Sequence, residues 1–204
     1  MKNHTVSSTK LVRHSTLIAA LASSLVAGCA GTSMGGATPQ PVFSQSALPD
    51  AIKVPAGHKV LMETVGVGEI SYECRAKAAT SASPPATPAF EWVFVGPQAK
   101  LNLRSGKTIG KYFGPPATWE SLDGSKVTGT QVAISPATAG NIPLQLVKAN
   151  PAQGAGQMVG VAYIQRVATR GGVAPALACD ASQLGAKSIV SYQSDYIFWG
   201  ADSM

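Results

Sequence analysis

Ile70-Ser71-Tyr72-Glu73-Cys74-Arg75 alternates apolar and polar side chains without a break. Successive side chains of an extended chain point to opposite faces. Ile70, Tyr72 and Cys74 therefore share one face and Ser71, Glu73 and Arg75 the other, the pattern of a strand buried on one side. Outward from this stretch the same kind of segment recurs. Residues 60–65 precede it across Gly66-Val67-Gly68, which reads as a hairpin. The apolar run 91–95 follows and is closed by Gly96-Pro97. Residues 99–103, 108–113, 126–134, 143–148, 158–169 and 188–199 continue the series, separated by Ser105-Gly106, Asp123-Gly124 and Gly171-Gly172. No segment keeps apolar residues at helical spacing for more than two turns. The expectation is an all-β chain: a single β-sandwich or barrel-like domain of about 9–10 short strands.

Composition agrees. Only 13% of residues are charged, and the chain holds 21 Gly and 14 Pro, which suits a strand-and-loop architecture. The first residues explain much of the positive balance. Lys2, Lys10 and Arg13 open the chain with no acidic residue among them, residues 17–27 form a short apolar run, and Val26-Ala27-Gly28-Cys29 follows. A basic start, a short apolar core and a small-residue cleavage site make a secretory signal, and about 11 apolar residues are too few to span a membrane as a helix. With cysteine directly after Ala-Gly, residues 1–28 resemble a bacterial lipoprotein signal peptide, in which Cys29 is lipidated and becomes the first mature residue. Two or more acyl chains anchor a protein stably where one does not. The expected location is the cell envelope, tethered to a membrane through the N-terminal lipid. Ala30 in place of an inner-membrane-retaining Asp points to the outer membrane, facing the periplasm or the cell surface.

Cleavage at that point removes three of the 16 basic residues and none of the 10 acidic ones, leaving 13 against 10. The remaining lysines are scattered singly, so the concentrated basic face that nucleic acid requires is missing. Residues 29–49, rich in Gly, Ser, Thr, Ala and Pro, read as a lipid-anchored flexible linker of some 25 Å average reach. Residues 50–204 then form one β-rich domain, within which 76–89 reads as a mobile Ala/Ser/Pro loop.

Three cysteines become one pair once Cys29 carries lipid. Cys74 and Cys179 are then expected to crosslink in an oxidising compartment, with two buried thiols as the alternative. Closing a loop of roughly 100 residues stabilises a fold by about 4.7 kcal/mol in the chain-entropy model, usually less in practice. No metal site is legible, because His58 is the sole histidine of the mature chain and zinc usually takes four ligands. No cofactor motif is legible either: Gly154-Ala155-Gly156 lacks the Gly-Lys-Ser/Thr that completes a phosphate loop.

Chemistry concentrates in residues 110–125. Trp119 and Tyr112 beside Glu120 and Asp123 could make a sugar-binding platform, or an acid/base pair for glycoside hydrolysis. The structural alternative is that Asp123-Gly124 forms a type I′ hairpin turn and Trp119 anchors the core. Arg166 and Arg170 could clamp an anion or carboxylate, or Arg166 could pair with a buried carboxylate at a sheet edge. His58 lies in a turn, where histidines are mostly bystanders.

The ordered set Tyr72-Glu73-Cys74, Trp92-Val93-Phe94, Gly106, Gly110, Trp119-Glu120, Asp123-Gly124-Ser125, Gly129, Ile142-Pro143, Gln165-Arg166, Thr169, Gly171-Gly172, Ala174-Pro175, Cys179-Asp180 and Asp195-Tyr196 resembles domain of unknown function 3455 (DUF3455), a family of exported proteins. The likeness runs from about residue 48 to 199 and implies one domain with paired cysteines. Members often carry a histidine where this chain has Lys111-Tyr112, and their Gly-Pro-Thr-Trp is stretched here to Gly114-Pro115-Pro116-Ala117-Thr118-Trp119. A role carried by that histidine in relatives is therefore not expected here. Two functions remain in view: a binding or structural module of the envelope, taking an envelope protein or saccharide, and an envelope hydrolase acting on saccharide or cell-wall material through Glu120 and Asp123.

Overall fold

The structure is a computed structural model, and it describes residues 43–78 and 89–202. Cys29, the signal segment, residues 30–42 and residues 79–88 of the Ala/Ser/Pro loop lie outside the described residues. Eight strands follow in chain order: β1 (His58–Ala76), β2 (Phe90–Asn102), β3 (Thr108–Phe113), β4 (Thr118–Ser121), β5 (Lys126–Ser135), β6 (Leu144–Ala149), β7 (Val161–Gly171) and β8 (Lys187–Ala201). Each pairs antiparallel with the next and β8 closes on β1, giving an up-and-down barrel. Closure leaves no edge strand for another chain to extend.

Directly opposed residues share a face, so the register sorts the lining from the wall. Gly66 sits between Leu101 and Ser194, Tyr112 between Ala99 and Trp119, and Arg166 between Gln145 and Tyr196, all pointing inward. The barrel is filled rather than hollow. Tyr112 stacks on Trp119 at 4.8 Å, and the Trp119 ring meets Tyr196 edge-on at 5.8 Å. Leu101, Ile164 and Phe198 complete this buried layer.

A second apolar cluster lies outside the barrel. Phe43, Leu48, Ile52 and Val54 cover the outward faces of Leu146, Val167, Ile197 and Trp199. Gln165, fully buried, fastens this strap: its Nε2 donates to Ile52 O at 2.7 Å and to Gln45 Oε1 at 3.0 Å, while Trp199 Nε1 donates to its Oε1 at 2.8 Å. Residues 43–49, the end of the segment read as a flexible linker, are thus packed against the wall. Apolar Phe43 and Leu48 supply the burial that the tract's composition conceals.

Two expected breaks are continuous strand. Gly66 and Gly68 do not turn the chain; β1 runs through them, paired on both sides. A Cβ at Gly66 would lie 2.5 Å from the Tyr196 ring, so the glycine marks a close approach instead. Gly96-Pro97 does not end β2 either. Val95 is the extra residue of a bulge, and β3 pairs with β2 only from Gln98 onward, so a residue without an N–H is tolerated there. These two mergers, with β4 added, give eight strands in place of nine or ten. The β4–β5 connection is not type I′. Only Gly124 has positive φ, at 86°, and Ser121 N–H donates to Ser125 O, the three-residue loop closed by a left-handed glycine.

Candidate functional site

The barrel has two unlike ends. One collects the β2–β3 and β4–β5 turns and the β6–β7 loop. The other, called here the mouth, collects the β3–β4 turn, the β5–β6 loop and the long β7–β8 loop.

Asp123 organises the turn end. Its Oδ1 accepts Ser125 N–H at 2.9 Å and the Ser125 hydroxyl, and its Oδ2 accepts Gln157 N–H at 2.8 Å. The Ser125 hydroxyl in turn accepts Met158 N–H at 3.1 Å, and Met158 plugs the interior beneath. Hydrogen bonds to the charged form, led by that from the Ser125 hydroxyl, hold the Asp123 carboxyl down at about 2. The carboxylate is fully engaged in joining a turn to a loop.

Glu120 is elsewhere. It sits on the outward face of β4 and pairs with Lys111 Nζ at 3.1 Å. Trp119, one residue before it, points inward and is 1% exposed. The aromatic side chain and the two carboxylates therefore face three different directions, and no single concavity takes all three. Trp119 is the core anchor. Tyr112 lies inside with it.

At the mouth, the β7–β8 loop folds back over β1 and β2. A disulfide joins Cys74 to Cys179 across a Cα–Cα distance of 5.5 Å, so the pair is crosslinked rather than two free thiols. Trp92 Nε1 donates to Leu177 O, Cys74 N–H to Ala186 O, and the Tyr72 hydroxyl to Gly172 O at 2.7 Å. His58 is remote from this end, at the start of β1 with its ring edge-on to Tyr163.

Arg166 points into the mouth, and it does not pair with a carboxylate as one sequence reading expected. Its Nε and Nη2 donate to Pro143 O at 3.2 and 2.9 Å, and no acidic group lies within 4 Å of it among the described residues. The register explains why. Every carboxylate carried on a strand (Glu63, Glu69, Glu73, Glu91, Glu120, Asp195) occupies an outward position. Arg170 also faces outward, because the bulge after Val167 sets it opposite Gln193, so the two arginines do not form a clamp.

Around the guanidinium the lining is rich in hydroxyls. Burial raises the pKa values of Tyr72, Tyr112, Tyr192 and Tyr196, and the Arg166 charge acts on all four in the opposite sense. Tyr192 and Tyr196 hydroxyls face each other at 3.3 Å. Three buried polar atoms of the barrel interior, Trp119 Nε1, Thr169 Oγ1 and Ser194 Oγ, have no hydrogen-bond partner among the described residues. The sequence reading does not single out Tyr192 or Ser194. The signal is present in Tyr192-Gln193-Ser194-Asp195-Tyr196, whose alternation turns the tyrosines and Ser194 to one face.

The outer wall carries two shallow concavities over β1–β3. One, of about 660 Å³, is lined by Val67, Glu69, Lys100, Lys111 and Phe113; its neighbour, of about 390 Å³, reaches Pro115 and Ile189.

Residues 55–200 match the family described as protein of unknown function (DUF3455), and the chain belongs to that family. No curated protein and no solved structure matches it.

Proposed function

Taking membership of DUF3455 as the premise, we propose that this chain is a binding module of the cell envelope, lipid-anchored at Cys29, that receives a small ligand at the mouth of its barrel. The single observation that carries this reading is the inward Arg166, a guanidinium that among the described residues meets only a backbone carbonyl and no carboxylate. A cation held inside a barrel without a paired carboxylate invites an anionic partner. The other end supports the reading by contrast, since Asp123 there is bonded throughout.

The strap adds to this. From Phe43 onward it runs along the outer wall, so its described residues leave the mouth uncovered. With Phe43 packed, 14 residue steps separate it from Cys29. Covalent geometry limits that span to about 50 Å whatever its conformation, which keeps the barrel beside the bilayer.

The test has two arms. Intact mass and fractionation should find the wild-type chain acylated and membrane-bound, and Cys29→Ser soluble and folded. A thermal-shift screen of mixed sugars, acids, amines and neutral compounds should yield a compound that stabilises the wild type and not Arg166→Gln. Unmodified Cys29 would remove the anchor. A screen whose only hits ignore Arg166 would remove the site.

A further inference from the structure

We propose that the mouth is a carboxylate site: Arg166 holds the two oxygens of an organic acid end-on, and the acid carries an apolar body. This rests on the reading of the mouth as the binding end and names the chemistry it takes.

The guanidinium decides the geometry. A guanidinium has five N–H donors in a rigid fork. Pro143 O occupies the side-on edge, receiving Nε and Nη2. The end-on edge, with one N–H each from Nη1 and Nη2, is left over, and two parallel donors of this kind match the two oxygens of a carboxylate. Pro143 O also fixes the plane of the fork, so little side-chain freedom is lost when the second edge is filled.

The lining then decides the charge. Every carboxylate carried on a strand is turned outward, and Arg166 is the cation that faces the mouth, so one fixed positive charge selects a monoanion. Trp119 Nε1, Thr169 Oγ1 and Ser194 Oγ lie sealed in the packed interior, so the contact with the ligand falls to the guanidinium. A phosphate dianion would bring a second negative charge with no second cation facing inward. The rim decides the rest of the ligand. Phe94, Val173, Leu177 and Leu184 are exposed at this same end, Phe94 to 51%, so an apolar group extending from the carboxylate finds apolar surface rather than water.

The probes are benzoate, acetate, benzamide and inorganic phosphate, titrated calorimetrically against the full chain. Benzoate is expected to bind more tightly than acetate, with benzamide and phosphate at least tenfold weaker than benzoate. Arg166→Gln should weaken benzoate at least tenfold, while Arg170→Gln, on the outward face, leaves it unchanged. Should Arg166→Gln fail to fold, Arg166→Lys keeps the charge without the fork and is expected to weaken benzoate at least threefold. Benzamide binding as well as benzoate, still dependent on Arg166, would overturn the carboxylate assignment and leave the binding module standing. Phosphate exceeding benzoate would do the same. Benzoate binding indifferent to Arg166 would overturn both, and no binding of any probe would overturn the carboxylate assignment.

Discussion

The two ends of this barrel handle polar groups in opposite ways. At the turn end, Asp123, Ser125, Gln157 and Met158 close a ring of hydrogen bonds, and the buried Ser125 hydroxyl both donates and accepts. Among the described residues, Arg166 at the mouth meets only a carbonyl, and three buried polar atoms of the interior beneath have no partner. A fold under selection for stability alone would treat them alike, because an unmet buried donor costs about 1–3 kcal/mol. The turn end is thus finished by the chain itself, whereas the end under the mouth is left with unmet polar groups among the described residues, where the proposed ligand would sit.

The largest expected effect comes from loosening the mouth. Cys74→Ser removes a crosslink spanning 105 residues, the strongest single fastening of the β7–β8 loop to β1. A loss of roughly 2–5 kcal/mol is expected, lowering Tm by about 10 °C, with hydrogen exchange rising first in residues 172–186 and not at the Asp123 turn. Equal loss of protection at both ends would erase the comparison. A smaller effect is expected at the turn end and depends on pH. The Asp123 carboxyl sits near 2 in the fold, below its ordinary value of 3.8, so its contribution is complete above pH 4 and is lost as pH falls towards 2. Asp123→Asn should lower Tm at neutral pH and flatten this acid limb. An unchanged limb would mean that the carboxylate does not hold the loop. Least of all should come from the outer wall. Lys111 is 58% exposed, and Lys111→Ala, which removes its pair with Glu120, should change stability by less than about 1 kcal/mol in chemical denaturation. A larger loss would give the outward carboxylates a weight that the comparison denies them.

The fold class and the inward aim of Cys74 are legible because alternation is local: each depends on neighbours two residues away. The continuity of β1 and β2 is not. Whether Gly66-Val67-Gly68 turns or runs straight is decided by the Tyr196 ring, 130 residues distant, which takes the room that a Cβ would need. Pro97 is likewise decided by which side of β2 has a partner. The residues of the site were partly visible. Arg166 stands out by its charge, but its lack of a carboxylate follows from the barrel register, which sets every strand acid outward. Glu120 and Asp123 looked like a pair because they are close in sequence. Strand alternation sends Glu120 outside, and the turn that follows engages Asp123.

The most direct test compares the same substitution at the two ends. Ser125 and Ser194 are both fully buried, one inside the satisfied ring and one among the unpaired donors. Ser125→Ala strands Met158 N–H and should lower Tm by several degrees, at about 2–4 °C per kcal/mol. Ser194→Ala removes an unpaired hydroxyl and should leave Tm unchanged or raise it. Equal falls in Tm for both variants, or a larger fall for Ser194→Ala, would contradict the account.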